Sequence, residues 1–121
     1  VSFYRGWDPL RPDDYGPLWE HIVLEYLSAN VRGAEIQYWR DAAGREVDFV
    51  IRTDRDSVDA VECNWDPRQF DVTSLKAFRT WYPGGRNYLV CPAVGEGYIK
   101  NIGGFDVFVG NPLFWQKNFP L

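Results

Sequence analysis

Apolar side chains recur at spacings of three and four through Leu18, Trp19, Ile22, Val23, Tyr26 and Leu27. That period predicts a helix of about 12 residues with one buried face. Asp13 or Asp14 serves as its cap, Pro17 suits the first turn, Glu20 and Glu25 ride on it, and it closes near Asn30 and Gly33. The stretch before it, Val1–Gly16, is rich in Pro, Gly and Asp without any period. It reads as an extended lead-in.

The pattern then changes to short strand-like runs, Glu35–Arg40, Arg45–Arg52 and Ser57–Asn64, joined by the polar turns Asp41–Gly44 and Thr53–Asp56. Turns of this length predict an antiparallel meander of three strands. After Trp65-Asp66-Pro67, Asp71 caps a second helix whose apolar positions are Val72, Leu75, Phe78 and Trp81, and Pro83-Gly84-Gly85 stops it. Asn87–Cys91 shows no alternation, which marks a strand buried on both faces. Phe105–Val109 is a last strand, Gly95–Gly104 a loop before it, and Asn111–Gln116 a closing helical turn. No repeat or linker divides residues 1–121, so the expectation is one α/β domain of order α-β-β-β-α-β with a C-terminal strand and tail.

Composition narrows the function. The chain of 121 residues is 45% hydrophobic and 17% aromatic with net charge −4, enough for one core. No apolar run approaches the roughly 18 residues of a membrane span, and no signal peptide is visible. The chain starts at Val1 and has no Met, so it is expected to be a piece of a longer polypeptide or a processed product. Acidity argues against a protein that coats DNA by phosphate neutralisation. The charge is uneven, −6 over residues 1–62 and +2 over residues 63–121. Cys63 and Cys91 lack metal-ligand spacing and read as reduced core thiols of a cytoplasmic protein, one disulfide between them being the alternative.

There is no phosphate-binding glycine loop, GxSxG or HExxH, so this segment offers no nucleotide site. Carboxylates on neighbouring strands are the informative feature. By the period of two, Glu46, Asp48 and Val50 share one face, with Val47, Phe49 and Ile51 on the other; Ala60, Glu62 and Asn64 share a face of the next strand. If the faces coincide, Asp48 and Glu62 come within cross-strand reach. Paired carboxylates in an apolar setting repel unless a cation or proton is shared, which suits a hard divalent metal. Carboxylates that simply face solvent account for the same alternation.

The segments LWEHIVLEYL, YWRDAAGREVDFVI, AVECNW and LKAFRTWYPGGRNYLV resemble the uncharacterised domain that follows the ATPase core in many prokaryotic AAA-type ATPases, a domain similar to the PD-(D/E)XK nuclease superfamily. The resemblance runs from about Leu18 to Cys91. It implies a restriction-endonuclease-like core with a mixed sheet flanked by helices, at the C-terminal end of a longer ATPase chain whose N-terminal ATPase domain is the partner. It further implies Mg²⁺ or Mn²⁺ held by Asp48, Glu62, the main-chain carbonyl of Cys63 and the helix residue Glu20.

The lysine of the E-x-K step falls on Asn64, which carries no charge to steady a hydroxide or a phosphorane. Losing such a group costs about 3 kcal/mol of transition-state stabilisation elsewhere. Lys76 on the second helix is the candidate for a migrated lysine, with Arg40 and Arg45 behind it. The functional expectation is a nuclease-like accessory domain with a weakened metal-dependent phosphodiesterase site, nucleic acid being a weak partner. The alternative is a non-catalytic module that docks on the ATPase or another protein. His21 reads as a surface or half-buried helix residue, and Trp39, Trp65 and Trp81 as core in preference to rings that stack on bases. Arg68, Lys76, Arg79 and Arg86 are candidates to line a phosphate-facing groove.

Overall fold

The computed structural model describes residues 12–30 and 36–111. Helix α1 (Pro12–Asn30) is followed by β1 (Ile36–Arg40), β2 (Glu46–Asp54) and β3 (Ser57–Cys63). A 3-10 turn (Pro67–Gln69) leads into α2 (Val72–Trp81), then β4 (Asn87–Val90), β5 (Tyr98–Ile102) and β6 (Phe105–Gly110). The six strands form one sheet in the order β1-β2-β3-β4-β6-β5. β1/β2, β2/β3 and β5/β6 pair antiparallel, while β3/β4 and β4/β6 pair parallel.

Each face of this mixed sheet packs against one helix. Trp19, Val23 and Leu27, spaced by four on α1, pack with Phe49, Ile51, Val61, Tyr88 and Val90. Leu75 and Phe78 of α2 pack with Val50, Val58, Ala60, Leu89, Val107 and Val109. Neighbours on β3 and β4 go to opposite clusters, as the period of two requires. β4 is buried along its whole length between two parallel partners, as its unalternated sequence led one to expect. No described helix is long and apolar enough to cross a membrane.

Several expectations change. The helix begins at Pro12, so Asp13 and Asp14 lie inside it and Pro17 sits in its interior. Proline at the first helical position loses no bond, so Pro12 opens the helix more naturally than Pro17 does. The segment Gly95–Gly104 is not a loop throughout, because β5 runs through it and turns into β6 over Gly103-Gly104, both with positive φ. Two positive-φ residues between paired Ile102 and Phe105 make the tight hairpin turn that glycine favours. Trp81 is 73% exposed rather than core: from Val72 it lies about two and a half turns on, which puts it on the far side of α2. The lead-in before Pro12 and the closing turn beyond Asn111 lie outside the described residues.

Arg79 takes the inward position next to Leu75 and Phe78, and it is 6% exposed. Its guanidinium donates from Nε to Asn87 Oδ1, from Nη1 to the carbonyls of Val58, Tyr82 and Gly84, and from Nη2 to the Arg86 carbonyl. Buried Asp59, on the strand beside it, accepts from the Arg86 N–H. Gly85 (φ 126°) passes so close to β3 that a Cβ there would strike the Val58 carbonyl. Replacing Arg79 strands several buried acceptors at once. Arg79→Met is therefore expected to cost about 3–5 kcal/mol, read as a lowered urea midpoint, with Arg79→Lys recovering only part of it.

Candidate functional site

β2 carries one more residue than its partner allows. Gln37 pairs with Val50 but Trp39 pairs with Val47, so Asp48 and Phe49 together oppose Tyr38. Such a bulge breaks the period of two and re-aims a side chain. Val47 therefore packs with Val50 under α2, while Phe49 and Ile51 pack under α1. The simple alternation expected for this strand does not hold, and Asp48 sits in the irregularity.

On the other side, the regular β2/β3 register runs to Phe49 opposite Val61. Beyond it the two carboxylates replace the ladder. The Asp48 N–H donates to Glu62 Oε1 at 3.2 Å, and the Cys63 N–H donates to Asp48 Oδ2 at 2.8 Å. Each acid thus accepts from the backbone of the strand opposite its own, which holds both at the open end of the pair. Glu20 is on the exposed side of α1, near enough for its charge to act on both the Glu62 carboxyl and the Cys63 thiol.

Burial first, then the neighbouring Asp48 charge, push the Glu62 carboxyl up to about 8. Asp48 is raised by burial and by Glu46, against the bond from Cys63. Glu20 is raised by burial, Asp48 and Glu46. Among the described residues no lysine or arginine forms an ion pair with any of these three acids. Among the described residues no three His, Cys, Asp or Glu side chains gather into a cation cage. The arrangement instead offers two carboxylates that each keep one oxygen outside the reciprocal bonds.

The other candidates are placed as follows. Asn64 donates its N–H to the Val90 carbonyl at 3.1 Å and is half-buried beside the pair. Lys76 is exposed on α2, on the other face of the sheet from α1, where a Cβ at Gly103 would stand 3.1 Å from its Cε. It is not brought to the carboxylates. Arg40 is bonded to Glu46 and Arg45 to Asp41. The four-residue groove is not formed: Arg79 is buried, Arg68 is tied to Asp66, and Arg86 lies over the Phe108 ring at 6.0 Å. His21 is half-buried and pairs with Glu25 at 3.3 Å. Cys63 and Cys91 are both free thiols, raised mainly by burial. Trp65 is 44% exposed, so it is not core.

The sign of the linkage follows from Glu62. Its folded-state proton is held more tightly than in the unfolded chain, so the associated stability is complete below about 4.5 and is lost as pH rises toward about 8. In metal-free buffer with chelator the thermal midpoint is expected to fall across that window. Glu62→Gln keeps the acceptor for Asp48 and removes the charge, so it should flatten the slope and raise the midpoint at about pH 8 by about 5 °C or more.

Comparison with known proteins adds the fold and the family. No curated protein matches the chain in sequence. A half-complex from the tetradecameric assembly of Thermococcus gammatolerans McrB AAA+ hexamers with bound McrC contains a similar fold, at TM-score 0.53 and 11% identity over 79% of this chain. The matched part is 27% of that chain, so the present sequence spans about a quarter of its neighbour. A family model, described as a domain of unknown function, matches residues 15–102, which take in α1, the carboxylate pair, α2 and β4. The chain belongs to that family, DUF4143.

Proposed function

We propose that this protein is a nuclease-like accessory domain of an ATPase, with a PD-(D/E)XK-type carboxylate site that takes one divalent cation and hydrolyses phosphodiesters poorly. The observation that carries this reading is the reciprocal bonding of Asp48 and Glu62 at the open end of β2/β3. Two desolvated acids are forced together there, each eased by one backbone N–H, and a shared proton or a cation relieves them further. The neighbour's presence in an AAA+ assembly with a bound partner supports an ATPase association for this chain.

The donor set fits Mg²⁺ or Mn²⁺. Two carboxylates suit a small hard ion that keeps several waters, whereas a calcium-like cage needs more protein oxygens than are gathered here. Asp48 and Glu62 would hold the ion, with the Cys63 carbonyl and waters as further oxygens, while Glu20 acts on the pair through its charge. When bound, it supplies Lewis acidity and lowers the pKa of a coordinated water. The chain's own contribution is the two bulge-anchored carboxylates, fixed by the backbone bonds of Asp48 and Cys63. Its deficit is positive charge, since Asn64 stands where the lysine is expected and Lys76 lies across the sheet. That deficit also favours a second reading, a docking module that retains the fold without catalysis.

Millimolar Mn²⁺ is expected to raise the thermal midpoint, by RT ln(1 + [L]/Kd) in free energy, or about 1.4 kcal/mol at ten times Kd. Asp48→Asn should abolish the shift; equal responses of the two proteins would favour the docking module. With metal, the unmodified protein should cleave DNA or RNA barely above background. Asn64→Lys is expected to gain cleavage that Glu62→Ala removes, whereas robust cleavage by the unmodified protein would refute the missing-cation account.

A further inference from the structure

Two aromatic rings that the core leaves out flank the carboxylate pair. Tyr38, 73% exposed, occupies the β1 position opposite the Asp48–Phe49 bulge. Its neighbour Trp39 turns to the α2 side and packs on Phe78 at 5.4 Å. Tyr38 consequently projects on the α1 side, where Ile36, two residues earlier, packs against the α1 cluster. The second ring is Trp65, three residues past Glu62 and 44% exposed.

Trp65 is held next to the segment that carries the acids. Its ring meets Trp19 edge to face, with centroids 6.5 Å apart at 88°. Trp19 precedes Glu20 on α1 and is anchored by its indole N–H donating to the Val90 carbonyl at 2.9 Å. That carbonyl also accepts from the Asn64 N–H, and the preceding Cys63 N–H is held by Asp48. A ring contact and the bonds that converge on the Val90 carbonyl and on Asp48 thus link the Trp65 platform to the carboxylate pair. One ring lies on the β1 side of the pair and the other at the end of β3.

We propose that Trp65 and Tyr38 are stacking platforms for bases flanking a phosphate at the carboxylate site, and that they select an unpaired nucleic-acid strand. This rests on the metal-dependent reading above. Gripping a duplex depends on neutralising its phosphates, which a chain of net charge −4 does poorly; of the described cations, Arg79 is buried, while Arg40, Arg45 and Arg68 each face a carboxylate. Ring stacking then supplies the affinity. Bases inside a duplex are already stacked on one another, whereas a single strand offers every base face.

Fluorescence anisotropy with a labelled oligothymidylate, alone and annealed to oligoadenylate, tests this in millimolar Mn²⁺. The single strand is expected to bind at least about tenfold tighter than the duplex, with a shallow salt slope of about −2 or smaller in magnitude. Trp65→Ala and Tyr38→Ala should each weaken it about tenfold, the loss of one stacked base, while Trp65→Phe retains most of the affinity. Trp81→Ala is the control, an exposed ring on α2 across the sheet, and should change nothing. Circular dichroism melts confirm that each variant is folded. Equal duplex binding, no binding of either nucleic acid, or an equal loss in Trp81→Ala overturns the proposal. The Mn²⁺ melting shift reads the metal site separately: an intact shift without ring dependence defeats only the stacking proposal, and ring dependence without a shift defeats only the metal reading.

Discussion

The parallel half of this sheet hangs on one buried cation. Arg79 reaches from the last turn of α2 to carbonyls on β3, on the helix end and on the chain entering β4, and to the Asn87 side chain. A parallel strand pair needs its crossover helix brought back over the sheet before the ladder can close. Here the guanidinium fork satisfies acceptors from all three segments of that crossover in one planar group, which a lysine ammonium cannot do. β4 then lies against β3 and holds that edge of β3 up to its last residue, Cys63.

That hold matters because β3 delivers Glu62. At its other edge the pairing with β2 stops one step short of Glu62, and a bulge in β2 turns the chain so that carboxylates stand in for ladder acceptors. The acids are therefore integral to the sheet rather than ornaments on its surface. Their mutual repulsion and burial are tolerated because main-chain N–H groups are aimed at them. An ordinary charge-pairing role would have brought a lysine or arginine to the same place, and the described cations lie elsewhere.

Much of the framework was legible in the residues. The four-residue spacing of Trp19, Val23 and Leu27, the Asp71 cap that accepts from the Thr73 N–H, the meander with its Asp41 turn and the fully apolar NYLV strand all follow local rules of period and capping. The pairing of Asp48 with Glu62 was legible as a proximity, through neighbouring strands. β5 was missed although the Gly103-Gly104 dipeptide between two alternating runs carried the hairpin signal. The early start of α1 was missed because Pro12 and Pro17 compete for the same role and only packing separates them.

What the sequence by itself determined is the order of elements up to β4, the buried face of α1 and the set of carboxylates, because those depend on periodicities of a few residues. Only the tertiary structure decided where α2 sends Arg79, that the β2 bulge breaks the alternation around Asp48, and that Trp65 and Trp81 stay outside the core. Each of these depends on contacts between segments far apart in the chain. A one-residue slip between strands, or half a turn of a helix, moves a side chain from one face to the other at little local cost. The choice is then made by which buried acceptors and cavities the rest of the fold leaves to be filled.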